Sequence, residues 1–329
     1  MLEKELAQTL EREQQAVLLL NRRGYASWLY CPACKHRVQC PNCKVSMVFH
    51  QSRQQAICHH CHARIDVPQR CPDPSCRSKL VRGGSGTQRI EEELSRSFPQ
   101  ARITRADSDT MTHADKYKRL IADFEAGRID VLVGTQMIAK GLDFPNVSLV
   151  GVIGADVTSA AADFRVSERL FQLVSQVAGR AGRADVPGTV VVQSLTPDLP
   201  ALRFAADHDF EGFAESELRR RKLLDFPPFV RLARFVVSGK RDRETAVEAE
   251  ALGSRLTEVI KRLELSEADV FGPQPCLIER LRRMYRHEVL LRAATAQQMQ
   301  QVLDEARNTD TFRVRSASLM VDVDPVTLV

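Results

Sequence analysis

The 329-residue chain contains no apolar run approaching the roughly eighteen residues that a membrane-spanning helix needs. Nor does it open like a secretory leader, since Met1-Leu2-Glu3-Lys4 begins a charged stretch. These absences exclude a helical membrane protein and make the cytoplasm the expected location, with no membrane partner. A phosphate-binding loop of the form G-x-x-x-x-G-K-[ST] is missing as well. Gly239-Lys240 is followed by Arg241, and Arg234 stands where the first glycine is required. No Asp-Glu-x-His box compensates, because Asp304-Glu305-Ala306-Arg307 falls in the last apparent helix and reads as a solvated surface. By itself, then, the sequence lacks the parts that cradle a triphosphate and hold its magnesium. Charge is not strongly one-sided either. A formal net charge of +5 is compatible with a nucleic-acid partner but too small to establish one.

What is present is ordinary in bulk and concentrated in places. A 43% hydrophobic and 27% charged composition suits a soluble globular chain, and the length allows two or three domains. Eight of the nine cysteines fall between Cys31 and Cys76, and only Cys276 stands apart, read as a small buried hydrophobe. Short C-x-x-C pairs in a cytosolic chain favour metal over disulfides. Cys40-x2-Cys43 and Cys58-x2-Cys61, fourteen residues apart, have nearly zinc-ribbon spacing. Cys31, Cys34, Cys71 and Cys76 are left for an outer site with the ribbon nested inside it. The outer set carries one irregularity: Cys71-Pro72-Asp73-Pro74-Ser75-Cys76 places four residues between its last two thiols. Zinc sites tolerate spacings of two to four, so the ion is still expected to bind. His36, His50, His59, His60 and His62 crowd the same region, but eight thiols already complete two tetrahedra. Sites of this kind are closed and structural, and a module of about fifty residues with few large apolar side chains needs its metal to fold.

Outside the cysteines, short apolar strands alternate with amphipathic helices. Strands are expected at 16–20, 101–106, 129–133, 147–153 and 189–193, and helices at 88–98 and 114–126. A further helix carries Leu170, Phe171, Val174 and Val177 at three- and four-residue steps. That alternation predicts an α/β lobe with a parallel sheet covered on both faces. The cysteine module interrupts it after the first strand. A single helix is expected over 204–218, followed by the basic run Arg219-Arg220-Arg221-Lys222 and a Phe226-Pro227-Pro228 break. Beyond the break the order is strand (232–237), helix (244–263), short strand near Leu277, strand (288–292), helix (296–307) and strand (318–323). This is the split β-α-β-β-α-β sandwich. The expected domains are 1–30 with 81–222, then 31–80, then 223–329. Basic residues gather at Arg231, Arg234, Lys240 and Arg241, and again at Arg280, Arg282, Arg283 and Arg286. With Tyr285 interleaved, the second group suits a DNA backbone, unless it is simply a solvated basic face.

Two stretches are unusually dense. One runs from Gly134-Thr135-Gln136 through Lys140-Gly141-Leu142-Asp143-Phe144-Pro145, the other from Gln176 through Gly179-Arg180-Ala181-Gly182-Arg183. Arg180 and Arg183 leave one face of a helical turn and suit anionic oxygens, phosphate above all. A solvated helix terminus with arginines near its carbonyls is the competing reading. Together the stretches resemble motifs V and VI of superfamily 2 helicases. With Asp163-Phe164-Arg165, Asn21-Arg22-Arg23-Gly24-Tyr25 and the cysteine array, the chain resembles the primosomal protein N′ (PriA) family of replication-restart DNA helicases over essentially its whole length.

The resemblance implies a RecA-like second helicase lobe with an inserted two-zinc module and a C-terminal α+β domain. It implies an ATP-dependent 3′–5′ helicase that recognises stalled or branched forks and assembles a primosome, of which this sequence holds the second half, running to the natural end. Arg183 is then the arginine finger, with Arg180 beside it and Gln176 reaching the phosphates or the attacking water. Gly141 and Asp143 line the nucleotide side. Thr135, Gln136 and Lys140 face DNA, as does the motif IV region with Arg22. ATP and Mg2+ bind only with a P-loop lobe. Implied partners are forked or single-stranded DNA, other primosome proteins and single-stranded-DNA-binding protein. The alternative is a zinc-dependent DNA- or protein-binding module that never hydrolyses ATP.

Overall fold

The computed structural model describes residues 1–20, 28–41, 47–50, 55–58, 63–83, 87–106, 114–135, 138, 146–155, 163–179 and 188–328. The chain forms two compact units. One comprises Met1–Arg23, Arg82–Ser159 and Ser167–Ala214; the other comprises Gly24–Val81, Ala160–Val166 and Glu215–Val329. Elements are numbered along the chain.

In the first unit a five-stranded parallel sheet has the order β10 (Thr189–Val192), β9 (Val147–Ile153), β1 (Gln15–Leu20), β8 (Val131–Gly134), β7 (Ile103–Ala106). Its strands are apolar on both faces because helices cover both. Val17, Leu19, Leu132, Val150 and Val152 meet α3 (Ala114–Glu125), α4 (Val166–Ala178) and α5 (Pro200–Ala206). The alternate residues Ala16, Leu18, Leu20, Val131, Val133 and Leu149 meet α1 (Leu2–Glu11) and α2 (Thr87–Ser97). Period-two side chains buried on both sides are the signature of such a sheet. The stripe Leu170, Phe171, Val174 and Val177 fixes which face of α4 turns inward, and all four are buried. Gln15 locks the start of the central strand by donating to the Phe124 and Ile129 carbonyls at 2.7 and 2.6 Å. Gly134 ends β8 where a Cβ would run into the Ala106 carbonyl, so this glycine is required for strand packing.

The expected single helix over 204–218 is instead α5 and α6 (Phe210–Leu223). The chain breaks at Asp207–Asp209, with His208 at φ 53° and the Asp209 carboxylate accepting the Gly212 N–H at 2.8 Å. Acidic capping chemistry outweighs the continuous apolar periodicity there. The basic run lies within α6, and Arg220, Arg221 and Lys222 occupy its last turn, where cations face the helix dipole.

In the second unit, the cysteine-rich segment contains β3 (Val48–His50), β4 (Gln55–Ile57) and β5 (Arg64–Asp66), which form an antiparallel sheet. The bracketing strands β2 (Trp28–Tyr30) and β6 (Val81–Gly83) pair with each other. The C-terminal part contains β11 (Arg231–Gly239), α7 (Asp242–Arg262), β12 (Ala268–Leu281), β13 (Met284–Ala293), α8 (Ala296–Asn308) and β14 (Ala317–Val323). The sheet order β12-β13-β11-β14, antiparallel throughout, is that of the split sandwich. The second strand is fourteen residues long, where a short one near Leu277 was expected. Pro273 and Pro275 interrupt its ladder and hide it from pattern reading. They are tolerated because β12 is an edge strand with register shifts there.

Ala233, Phe235 and Val237 of β11 face α7 and α8. The opposite face is buried as well, and it corrects the expected basic cluster. Arg234 is 3% exposed, and its Nε donates to Glu288 (2% exposed) at 2.8 Å; Gln274 donates to the other carboxylate oxygen at 2.8 Å. Arg231 pairs with Asp324 at 2.5 Å and Arg241 with Glu244 at 2.6 Å. Period two puts residue 234 inside, so charge alone misreads it. A lone buried carboxylate costs far more than an apolar pair of similar volume. Arg234→Ala is therefore expected to lower stability by about 3–5 kcal/mol in denaturant unfolding, and Arg234→Met with Glu288→Leu to recover most of it.

Candidate metal centre and nucleic-acid surfaces

Cys31, Cys34, Cys71 and Cys76 converge so that their four sulfurs lie within 4.8 Å of one another. Cys31 and Cys76 are 3.4 Å apart and Cys34 and Cys71 3.5 Å, with no disulfide among them. Four thiolates about 2.3 Å from a tetrahedral zinc stand roughly 3.8 Å from each other, so the set fits that ion after a few tenths of an ångström of relaxation.

Two matching knuckles produce the convergence. The Cys31 N–H bonds the His36 carbonyl at 2.7 Å inside the Tyr30–Arg37 bridge, and Lys35 turns the chain at φ 61°. The Cys71 N–H bonds the Ser78 carbonyl at 2.8 Å inside the Arg70–Lys79 bridge, and Arg77 turns it at φ 51°. The two extra residues of the second knuckle are absorbed by a turn in which Asp73 accepts the Ser75 N–H and hydroxyl and the Cys76 N–H. The stretched spacing therefore delivers Cys76 to the same point. Crowding divides the protonation of these thiols. Cys76 is drawn down to about 6, first by the Ser78 N–H and then by its hydroxyl. Cys34 is pushed up to about 12, although the His36 N–H favours its thiolate, because desolvation and the other thiols outweigh that bond. A divalent cation removes the conflict. Of the inner set, Cys40 and Cys58 are fully buried beside Leu29, Val38, Met47 and Phe49, and the Cys58 N–H reaches the Ala63 carbonyl in the same knuckle closure. Cys43 and Cys61 lie outside the described residues.

On the parallel sheet, Thr135 is half-buried directly after β8, at the carboxyl edge where the segment after β1 also departs. Gln176 is exposed near the end of α4. Because α4 links two neighbouring parallel strands it runs against them, and Gln176 stands towards their amino ends. Thr135 and Gln176 therefore belong to opposite edges. Arg22, Gln136, Lys140, Gly141, Asp143, Arg180 and Arg183 lie outside the described residues.

The β12–β13 hairpin turns through Arg282 (φ 49°) and Arg283 (φ 68°) between the paired Leu281 and Met284. A two-residue turn of this kind demands positive φ at both centres and ordinarily takes Asn-Gly. Both arginines are exposed, and Arg280 stacks over the Tyr285 ring at 5.0 Å. The left-handed conformation costs each arginine roughly 1–2 kcal/mol.

Asp163 and Phe164 carry more structure than their triplet suggested. The carboxylate of Asp163, 2% exposed, accepts the Arg165 N–H at 3.0 Å and the Thr327 hydroxyl at 2.8 Å. Phe164 stacks on Phe226 at 5.8 Å and packs with Leu232, Leu290 and Leu328. An acid and a buried aromatic just ahead of a helix form a capping signature that was legible in the sequence.

Three family models match the chain in order: the PriA DNA helicase Cys-rich region domain at 40–65, the helicase conserved C-terminal domain at 83–185, and the primosomal protein N C-terminal domain at 222–326. The replication restart protein PriA of Bacillus subtilis (strain 168) is 38% identical over 322 residues, 98% of this chain and 39% of that protein. The chain belongs to the PriA family. The PriA of Treponema pallidum (strain Nichols) is 41% identical over 327 residues, 98% of this chain and 48% of that protein. For Chlamydia pneumoniae PriA the figures are 36% over 325 residues, 98% and 43%. The chain spans less than half the length of these relatives. The Cys-rich match and the four-thiol geometry together assign zinc binding to this PriA-family chain. Cys76→Ala should lower the zinc bound per chain by one and expose the segment 31–80 to proteolysis, read by native mass spectrometry and by limited digestion.

Proposed function

We propose that this chain is the carboxy-terminal part of a cytoplasmic, ATP-dependent 3′–5′ DNA helicase that recognises stalled or branched forks and restarts replication by assembling a primosome. The observation that carries the reading is the ordered match of Cys-rich, helicase and C-terminal PriA domains on one chain, aligned over 98% of its length. Lacking a P-loop sequence, it hydrolyses ATP only beside a lobe that supplies one and holds Mg2+.

In that assembly Arg183 serves as the arginine finger, Arg180 assists it, and Gln176 orients the phosphates or the attacking water. Gly141 and Asp143 line the nucleotide side. Thr135, Gln136, Lys140 and Arg22 hold DNA phosphate oxygens without reading bases. The exposure of Gln176 at the end of α4 and the position of Thr135 on the opposite edge support separate nucleotide and DNA duties. Two zinc ions, one for each set of four cysteines, hold the inserted module, whose surface suits the other primosome proteins and single-stranded-DNA-binding protein. At the hairpin tip Arg282 and Arg283 grip the DNA backbone, with Tyr285 offering a stacking face.

Native mass spectrometry should find two zincs per chain. With the P-loop lobe present, Arg183→Ala should cut ATP turnover by about 10³–10⁵-fold, and a loss of only a few-fold would remove the finger assignment. Arg282→Gly with Arg283→Gly should move two quantities in opposite directions. Thermal stability rises by roughly 1 kcal/mol or more as backbone strain is released. Single-stranded DNA affinity falls, and the slope of log affinity against log salt drops by about 0.7 per arginine.

A further inference from the structure

The two edges of the four-stranded C-terminal sheet are finished differently. At one edge, β12 carries Pro273 and Pro275 and breaks register beside them, features that blunt an edge against further pairing. At the other edge, the seven residues of β14 pair with β11 in one unbroken register. This strand contains no proline and no lysine, and its one charged residue is Asp322. Among the described residues no strand lies on its outer side. Met320, Val321 and Val323 are 50%, 40% and 44% exposed there, where an edge is ordinarily kept short or charged.

The pairing with β11 fixes which backbone groups are free. The Asp324 N–H donates to the Leu232 carbonyl at 2.8 Å, and antiparallel bonds fall on alternate residues. Asp322, Met320 and Ser318 therefore also turn their amides towards β11, while Ala317, Leu319, Val321 and Val323 present theirs outwards. A second β14 laid antiparallel about Met320 sets Ala317 opposite Val323, Leu319 opposite Val321 and Ser318 opposite Asp322. In that register every hydrogen-bonded pair joins two outward-facing residues, and both members are apolar. Asp322 meets a hydroxyl and not another carboxylate. The exposed Arg313 and Arg315, just ahead of the strand, come beside the acidic end of the facing copy at Asp322 and Asp324. The strand is thus complementary to itself in hydrogen bonding, apolarity and charge.

We propose that β14 is an interface for a second copy of this chain, pairing antiparallel across a two-fold axis at Met320 and joining two C-terminal sheets into one. The mode is strand addition, in which main-chain bonds supply affinity and the side chains on each face select the partner. A seven-residue strand buries less than a standard interface, so the dimer is weak, with a dissociation constant on the order of tens of micromolar.

Sedimentation equilibrium of the zinc-loaded 329-residue chain tests the pairing. Over roughly 1 to 300 µM the unmodified chain should pass from monomer to dimer. Val321→Lys sets an ammonium group against Leu319 of the facing copy and should weaken the dimer about tenfold or more. Two changes at the exposed Ser318 should act with opposite sign. Ser318→Lys, placed against Asp322 of the facing copy, should tighten association about threefold at low salt, and Ser318→Glu should weaken it by about as much. Thermal melts that match the unmodified monomer show that each variant is folded. A chain that stays monomeric throughout overturns self-pairing and leaves the edge to an extended segment of another protein. A dimer indifferent to Val321→Lys, or one on which the two Ser318 changes act alike, forms elsewhere and overturns the assignment of β14. Either failure leaves the functional reading in place.

Discussion

Two knuckles whose first cysteines lie forty residues apart in sequence must deliver four sulfurs to one point, and the inserted module depends on that convergence. Its apolar core is small, built around Leu29, Val38, Met47, Phe49 and Ala56 with the buried thiols Cys40 and Cys58. Closing a loop of this length costs roughly 4 kcal/mol in chain entropy. Structural zinc supplies on the order of 10 kcal/mol or more, so the ion outweighs closure with a margin that such a core could not provide. The knuckle hydrogen bonds prepare the geometry; thiolate charge, neutralised by the cation, provides the driving force.

The same concern with buried charge recurs in the C-terminal domain. Glu288 accepts from Arg234 on one carboxylate oxygen and from Gln274 on the other, on a sheet face shared with Leu232 and Leu290. Asp163 accepts hydrogen bonds from a backbone amide and from a hydroxyl that arrives from 164 residues away. Glu217 collects two arginines beside Phe164. In each case a polar group is kept inside because its partners come with fixed geometry, and the price of an unmatched partner makes the arrangement specific.

That specificity bears on function. The helix carrying Gln176 begins at a cap shared with the C-terminal tail, and the hairpin that presents Arg282 and Arg283 belongs to the same small sheet as Leu232 and Leu290, against which Phe164 rests.

Local chemistry determined much of this protein in advance. Alternating apolar strands and helical stripes announced the doubly covered parallel sheet. Cysteine spacing announced the outer set of four thiols, and the β-α-β-β-α-β order announced the split sandwich. Periodicity and short-range ligand spacing are properties of neighbouring residues, so they survive in the sequence. Tertiary structure alone decided which arginines are buried partners and which are exposed. Arg234 and Arg282 look alike as letters, yet the first is sealed against Glu288 and the second sits strained at a hairpin tip. Only the fold could break 204–218 into two helices at Asp209, extend the proline-bearing β12 along an edge, and bring Thr327 to Asp163. Those outcomes depend on what lies opposite a residue in space, and sequence separation carries no record of that.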